Sequence, residues 1–146
     1  RFEANNYGPY ADRLRHLLNG LDGSYLKSEK RINDCGPLDP IWFNDAKRGK
    51  VALYLRTEAK KYLPALRKTV ALIDGFESPF GMELLASVDW LIFRTEVAPD
   101  PESVMDGVRH WPGGEHSAQR KLRLFDRAKV ELALDRLKTG PLRATG

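Results

Sequence analysis

The chain has 146 residues, with 24 Lys and Arg against 20 Asp and Glu, a formal net charge of +4, one cysteine and three histidines. That length suits one hydrophobic core, and the lone Cys35 excludes both an internal disulfide and a thiolate-rich zinc site. No apolar run approaches the roughly 20 residues that cross a bilayer and no signal peptide is visible. The expectation is a reduced, intracellular, soluble domain of the cytoplasm, and the start at Arg1 reads as a processed or truncated product.

In chain order, Asn5-Asn6-Tyr7-Gly8-Pro9 predicts a turn into a helix near 9–21, with Pro9 at the first helical position. Leu14, Leu17, Leu18 and Leu21 follow at i, i+3, i+4 and i+7, one stripe of a 3.6-residue period, and Gly23 ends it. Between 24 and 44 glycines, prolines and charges break any period, which predicts a loop with a small β-hairpin near 25–44. Helices are predicted near 45–56 and 62–74, the second with Leu63, Leu66, Val70 and Ile73 on one face and Pro64 marking its start.

Ser78-Pro79 predicts an N-cap and first-turn pair for a helix over 79–94. Leu84, Leu85, Val88, Leu91 and Ile92 form its apolar face, with Glu83, Ser87 and Trp90 on another. Pro99 to Pro101 precedes a short helix near 102–110, and Pro112-Gly113-Gly114 breaks the chain again. A last helix near 126–138 turns Val130, Ala133, Leu134 and Leu137 inward. Leu-rich helices joined by Gly/Pro turns give one all-α or mostly α multi-helix domain over 1–146.

Charge is unevenly placed. Residues 74–106 hold eight carboxylates and one basic side chain, a local net of −7, between flanks of about +6 (1–73) and +5 (107–146). One part of the chain can attract polyanions while another can imitate one. Lys27/Lys30/Arg31, Lys47/Arg48/Lys50 and Arg120/Lys121/Arg123 are candidate phosphate contacts, although a solvated face is the better explanation of each alone, since acidic residues are interleaved and no nucleic-acid-binding motif accompanies them.

No catalytic constellation emerges, so no catalytic, metal or cofactor residue is assigned. His110, Glu115 and His116 in HWPGGEH lack helical metal-site spacing. Cys35 has no neighbouring base, the glycines fit no phosphate-cradling loop, and Glu83 and Asp89 lie about 600° apart around their helix. Trp90 and Trp111 read either as core or as contact anchors, since tryptophan is enriched at interface hot spots.

The segments NYGPYADRLRHLLNGLDG, LIDGFESPFGMELLASVDWL and RKLRLFDRAKVELALDRL together resemble the C-terminal domain of the DarG antitoxins, with GFESPFGMELL the most specific run. In that family an N-terminal macrodomain removes ADP-ribose from DNA, and the C-terminal domain binds the toxin DarT, which ADP-ribosylates thymidine in single-stranded DNA. The resemblance implies binding without hydrolysis: a cytoplasmic, non-enzymatic, toxin-binding domain that pairs with DarT. The segment matching GFESPFG carries over Phe76, Glu77, Ser78, Phe80 and Gly81, and the following helix Glu83 and Trp90, for partner binding. Asp89 stands where the family more often has histidine. The acidic segment adds a mechanism in which Asp74, Glu77, Glu83 and Asp89 replace phosphates and Phe80 and Trp90 replace bases in the toxin's DNA groove, with Trp111 a further anchor. Glu77 also reads as a simple helix N-terminal charge. The alternative is a DNA-contacting accessory domain acting through the basic flanks.

Overall fold

The computed structural model describes residues 1–36 and 39–140. Two short antiparallel pairs and seven α-helices make up these residues. β1 (Glu3–Asn5) pairs with β2 (Gly8–Tyr10), and α1 (Asp12–Leu21) follows. β3 (Leu26–Lys27) pairs with β4 (Trp42–Phe43). Then come α2 (Arg48–Arg56), α3 (Leu63–Ile73), α4 (Pro79–Arg94), α5 (Pro101–Arg109), α6 (Glu115–Leu124) and α7 (Arg127–Thr139). The mostly α class with a small hairpin between 25 and 44 is therefore the observed one.

The chain divides into two compact units, one of Arg1 with Ala11–Leu66, the other of Phe2–Tyr10 with Arg67–Gly146. The second unit holds the core. Leu84, Leu85, Val88 and Leu91 of α4 meet Val104 and Val108 of α5, Ala118 of α6, and Val130, Ala133, Leu134 and Leu137 of α7, with Trp111 and Phe125 between them. Each fully buried Leu or Val contributes roughly 1.5–3 kcal/mol, so the periodic faces of α4 and α7 account for most of this unit's stability.

Its caps follow from sequence chemistry. Ser78 accepts a hydrogen bond from the Gly81 amide at 2.9 Å, while Asp100 and Asp126 accept from Ser103 and Lys129 at 2.9 Å each. Asp100 is held below the usual carboxylate range chiefly by the Ser103 amide, and Asp126 chiefly by the Lys129 ammonium at 2.7 Å and then by the Lys129 amide. Ser78→Ala is expected to lower unfolding free energy by about 1 kcal/mol in urea titration; an unchanged midpoint would deny the cap any weight.

Three sequence expectations are corrected. Pro9 does not start a helix but sits in β2 opposite Ala4, because Gly8 at φ 120° turns the chain one step earlier; α1 begins at Asp12. The face expected on α3 does not act as one: no α3 residue is fully buried, Leu66 is 42% and Val70 56% exposed, while Ile73, with Leu72, packs against the core. Helix α6, following directly on the Pro-Gly-Gly break, was not expected, because its inward stripe Ala118, Lys121, Leu122 and Phe125 carries a lysine where an apolar residue marks the period.

In the first unit Ala11, Ile32 and Ala59 are buried, and the Leu14, Leu17, Leu18 and Leu21 stripe lies open, 39–64% exposed. Asn44 Nδ2 donates to the Ser24 carbonyl at 2.8 Å and the Ile32 amide to Asp22 at 3.0 Å, tying the loops together.

Candidate partner-binding site

The segment Asp74-Gly75-Phe76-Glu77-Ser78-Pro79-Phe80-Gly81 links α3 to α4 and folds against α7. Gly81 is what allows the fold-back: a Cβ there would lie 2.7 Å from the Phe76 carbonyl oxygen and 2.9 Å from its Cα. Arg136 of α7 fixes the other end. Its guanidinium donates to the carbonyls of Leu72 at 3.0 Å, Ala71 at 3.3 Å and Asp74, and lies 5.3 Å from the centre of the Phe76 ring. Cation placement at the end of α3 suits the helix dipole as well as the ring. Phe80 meets Phe125 edge to face at 5.9 Å, with the Lys129 ammonium 5.7 Å from the ring centre.

These contacts leave a groove of about 480 Å³, with Phe76, Ser78 and Phe80 on one wall and Lys129, Leu132, Asp135 and Arg136 on the other. Leu132 is 64% exposed on its rim. Asp74 and Glu77 are exposed in the segment that forms the first wall. The groove thus joins apolar walls, the Asp135 carboxylate and cations already engaged by rings, with Asp74 and Glu77 exposed in the adjoining segment, the features of a protein-docking surface.

The remaining residues singled out in sequence divide. Asp89 is exposed on α4 and Trp90 is half-buried against the core, with its Nε1 buried and without a hydrogen-bond partner among the described residues. Glu83 and Trp111 are interior, so the surface role expected of them is corrected. Glu83 is 7% exposed and takes hydrogen bonds from the Lys121 ammonium at 2.8 Å and from Arg120. Lys121 is fully buried, donates also to Ser87 at 3.1 Å, and lies 4.7 Å from the Trp111 ring and 5.4 Å from Phe125. Arg120 stacks over Tyr7 at 4.6 Å, and the Trp111 indole donates to the Asn5 carbonyl at 3.0 Å, so this cluster ties the N-terminal hairpin to α4 and α6.

Burial penalises the Glu83 carboxylate, yet the hydrogen bonds from Arg120 and Lys121 outweigh it and hold Glu83 below the usual range. Burial pushes the Lys121 ammonium down, with Glu83 opposing. Arg120 and Lys121 are therefore engaged with Glu83, and of the Arg120/Lys121/Arg123 group only Arg123 has the exposed position expected of a solvated face.

The other chemical candidates stay dispersed. His110 faces Asp106 at 3.6 Å, and Cys35 Sγ lies 3.2 Å from Ser28 Oγ. Among the described residues no group of three or more His, Cys, Asp or Glu is placed to hold a metal ion, and no helix is long and apolar enough to cross a membrane.

No family model matches the chain. Over 142 residues, 93% of this chain, it is 32% identical to the DNA ADP-ribosyl glycohydrolase of Mycobacterium bovis (strain BCG / Pasteur 1173P2), of which the match covers 38%. The figures are the same for the DNA ADP-ribosyl glycohydrolase of Mycobacterium tuberculosis (strain ATCC 25618 / H37Rv). The Thermus aquaticus (strain ATCC BAA-2747 / Y51MC23) protein of that name is 30% identical over 143 residues, 97% of this chain and 36% of its own length. The chain is remotely homologous to part of the DNA ADP-ribosyl glycohydrolases, and spans well under half the length of these curated relatives.

Proposed function

We propose that this chain is the toxin-binding domain of a DarG-type antitoxin, which keeps the DNA ADP-ribosyltransferase DarT inactive by filling its single-stranded DNA site. The glycohydrolase activity of such an antitoxin would then lie outside these 146 residues. The observation that carries the reading is the surface around the GFESPFG segment: six of the eight carboxylates in 74–106 are exposed, and Phe76, Ser78 and Phe80 line an open groove beside two of them.

A toxin that modifies single-stranded DNA needs cations along the backbone path and flat surfaces for the bases. Asp74 and Glu77 supply charge of the sign a phosphate carries, and Phe76 and Phe80 supply rings at the adjoining groove. Asp89 is exposed about 180° around α4 from Phe80 and Trp90 is half-buried against the core, so neither adjoins the groove. Glu83 has a different part in this reading: it holds α4 in place from inside. Electrostatic matching of this kind speeds association and excludes the competing polyanion more than it deepens the final complex.

Charge reversal tests it. Asp74→Lys with Glu77→Lys is expected to weaken DarT binding by roughly 30-fold at low salt, mostly through a slower on-rate, and to restore DNA access to the toxin. Unchanged affinity and unchanged exclusion of DNA, with the circular dichroism of the wild type, would sink the imitation mechanism. Salt-sensitive retention on DNA without toxin binding would instead favour the accessory-domain alternative.

A further inference from the structure

The first unit carries an apolar surface that its own fold does not use. Leu14, Leu17, Leu18 and Leu21 are 46%, 64%, 41% and 39% exposed, and neither α1 nor α2 has a buried residue. Leu53 and Tyr54 add 58% and 52% exposed side chains. Scattered apolar residues are ordinary on a protein surface, but a helical stripe of four leucines continuous with a cavity is not. Leu21 belongs to both: with Tyr25, Leu26, Phe43, Val51 and Tyr54 it lines a cavity of about 400 Å³, enough for one or two large apolar side chains.

Charge says what covers it. The unit holds twelve Lys and Arg against seven Asp and Glu. Its carboxylates are largely used locally: Asp12 by Arg15 and His16, Asp39 by Lys30, Asp45 by Arg48, and Asp22 by the Ile32 amide. The ammonium groups left without an ion pair or hydrogen bond among the described residues include Lys50, which lines the cavity. Lys47, three residues earlier, is also unpaired among the described residues. An apolar groove with unpaired cations at and beside it is complementary to an amphipathic helix that carries an apolar anchor and flanking carboxylates.

We propose that this face is a second docking surface for the toxin, receiving an acidic amphipathic helix of that protein, with a large apolar side chain in the cavity and carboxylates against Lys47 and Lys50. The inference rests on the reading that the chain binds DarT. It adds a contact of opposite polarity to the acidic surface of the second unit: the carboxylates there meet the toxin's DNA-binding cations, whereas the lysines here meet an acidic element elsewhere on it.

The test is calorimetric titration of the whole chain into catalytically inactive DarT, comparing wild type with Leu17→Glu, Lys50→Glu and Lys50→Arg. Leu17 and Lys50 are exposed, so these substitutions leave the fold intact. Leu17→Glu is expected to weaken binding at least about 30-fold and Lys50→Glu about tenfold, with Lys50→Arg close to wild type. Wild-type affinity in both Glu variants would overturn this inference while leaving the acidic-surface reading standing. Loss of affinity in them, with none in the Asp74→Lys, Glu77→Lys chain, would support this surface and overturn the other. No binding by the wild-type chain would remove both.

Discussion

Glu83→Gln is expected to lower the unfolding free energy by about 3–5 kcal/mol, because it removes the only carboxylate that the fully buried Lys121 ammonium touches among the described residues. Arg120 is partly exposed and can turn to water, whereas Lys121 cannot. Most of the loss therefore comes from a charge left unpaired in the core, not from a lost hydrogen bond. Replacing both members, Glu83→Leu with Lys121→Met, should recover much of the stability, since two apolar chains of similar volume need no partner. A urea midpoint unchanged in Glu83→Gln would show that water reaches the pair. The pH dependence has a definite sign. Glu83 is held below the ordinary value of about 4.3 in the folded state, so its contribution is complete above that value and is lost as pH falls through the lower folded one. The wild type should lose stability more steeply than Glu83→Gln across that acid window.

Gly81→Ala is the second large effect. The new Cβ would meet backbone atoms of Phe76 at 2.7–3.0 Å, and backbone cannot swing aside as a side-chain tip can. Loss of about 1–3 kcal/mol is expected, together with weaker toxin binding, because the displaced segment is one wall of the groove. Gly20→Ala in α1 is the matched control. Nothing lies within 4 Å of its Cβ position, and alanine there should stabilise by about 0.5–1 kcal/mol. Similar behaviour of the two variants in thermal melts and in binding would mean that the close approach at Gly81 does not hold the segment.

What was legible in the residues follows from which signals are local. The Ser78-Pro79 cap and the leucine periods of α4 and α7 depend on neighbours within a few positions, and the structure has them where expected. The Glu83 to Lys121 pair is separated by 38 positions, and each residue alone reads as solvated charge. A signal was nonetheless present: Lys121 occupies the i+3 place of the stripe Ala118, Lys121, Leu122, Phe125, and Glu83 with Ser87 forms an i, i+4 pair that faces it. A lysine inside an apolar stripe asks for a buried carboxylate. The α1 stripe marks the limit of such a signal, since periodicity establishes that a helix has an apolar face but not that the same chain covers it.

The candidate site was legible in part for the same reason. Phe76, Ser78 and Phe80 sit close in sequence and come together in one groove, with Asp74 and Glu77 exposed in the same segment. The opposite wall, from Lys129 to Thr139, comes from a helix more than 40 residues away whose outward face carries no period of its own. Arg136 could be read as one more surface cation. Its hydrogen bonds to the end of α3 and its place over Phe76 appear only once α7 is packed.

The central claim is that this surface occupies the toxin's single-stranded DNA site. Calorimetric titration of the chain into catalytically inactive DarT, with and without a thymidine-containing single-stranded oligonucleotide, tests it most directly. Tight one-to-one binding that weakens in proportion to oligonucleotide occupancy is the predicted result. Equal affinity with the DNA site empty and saturated would contradict it.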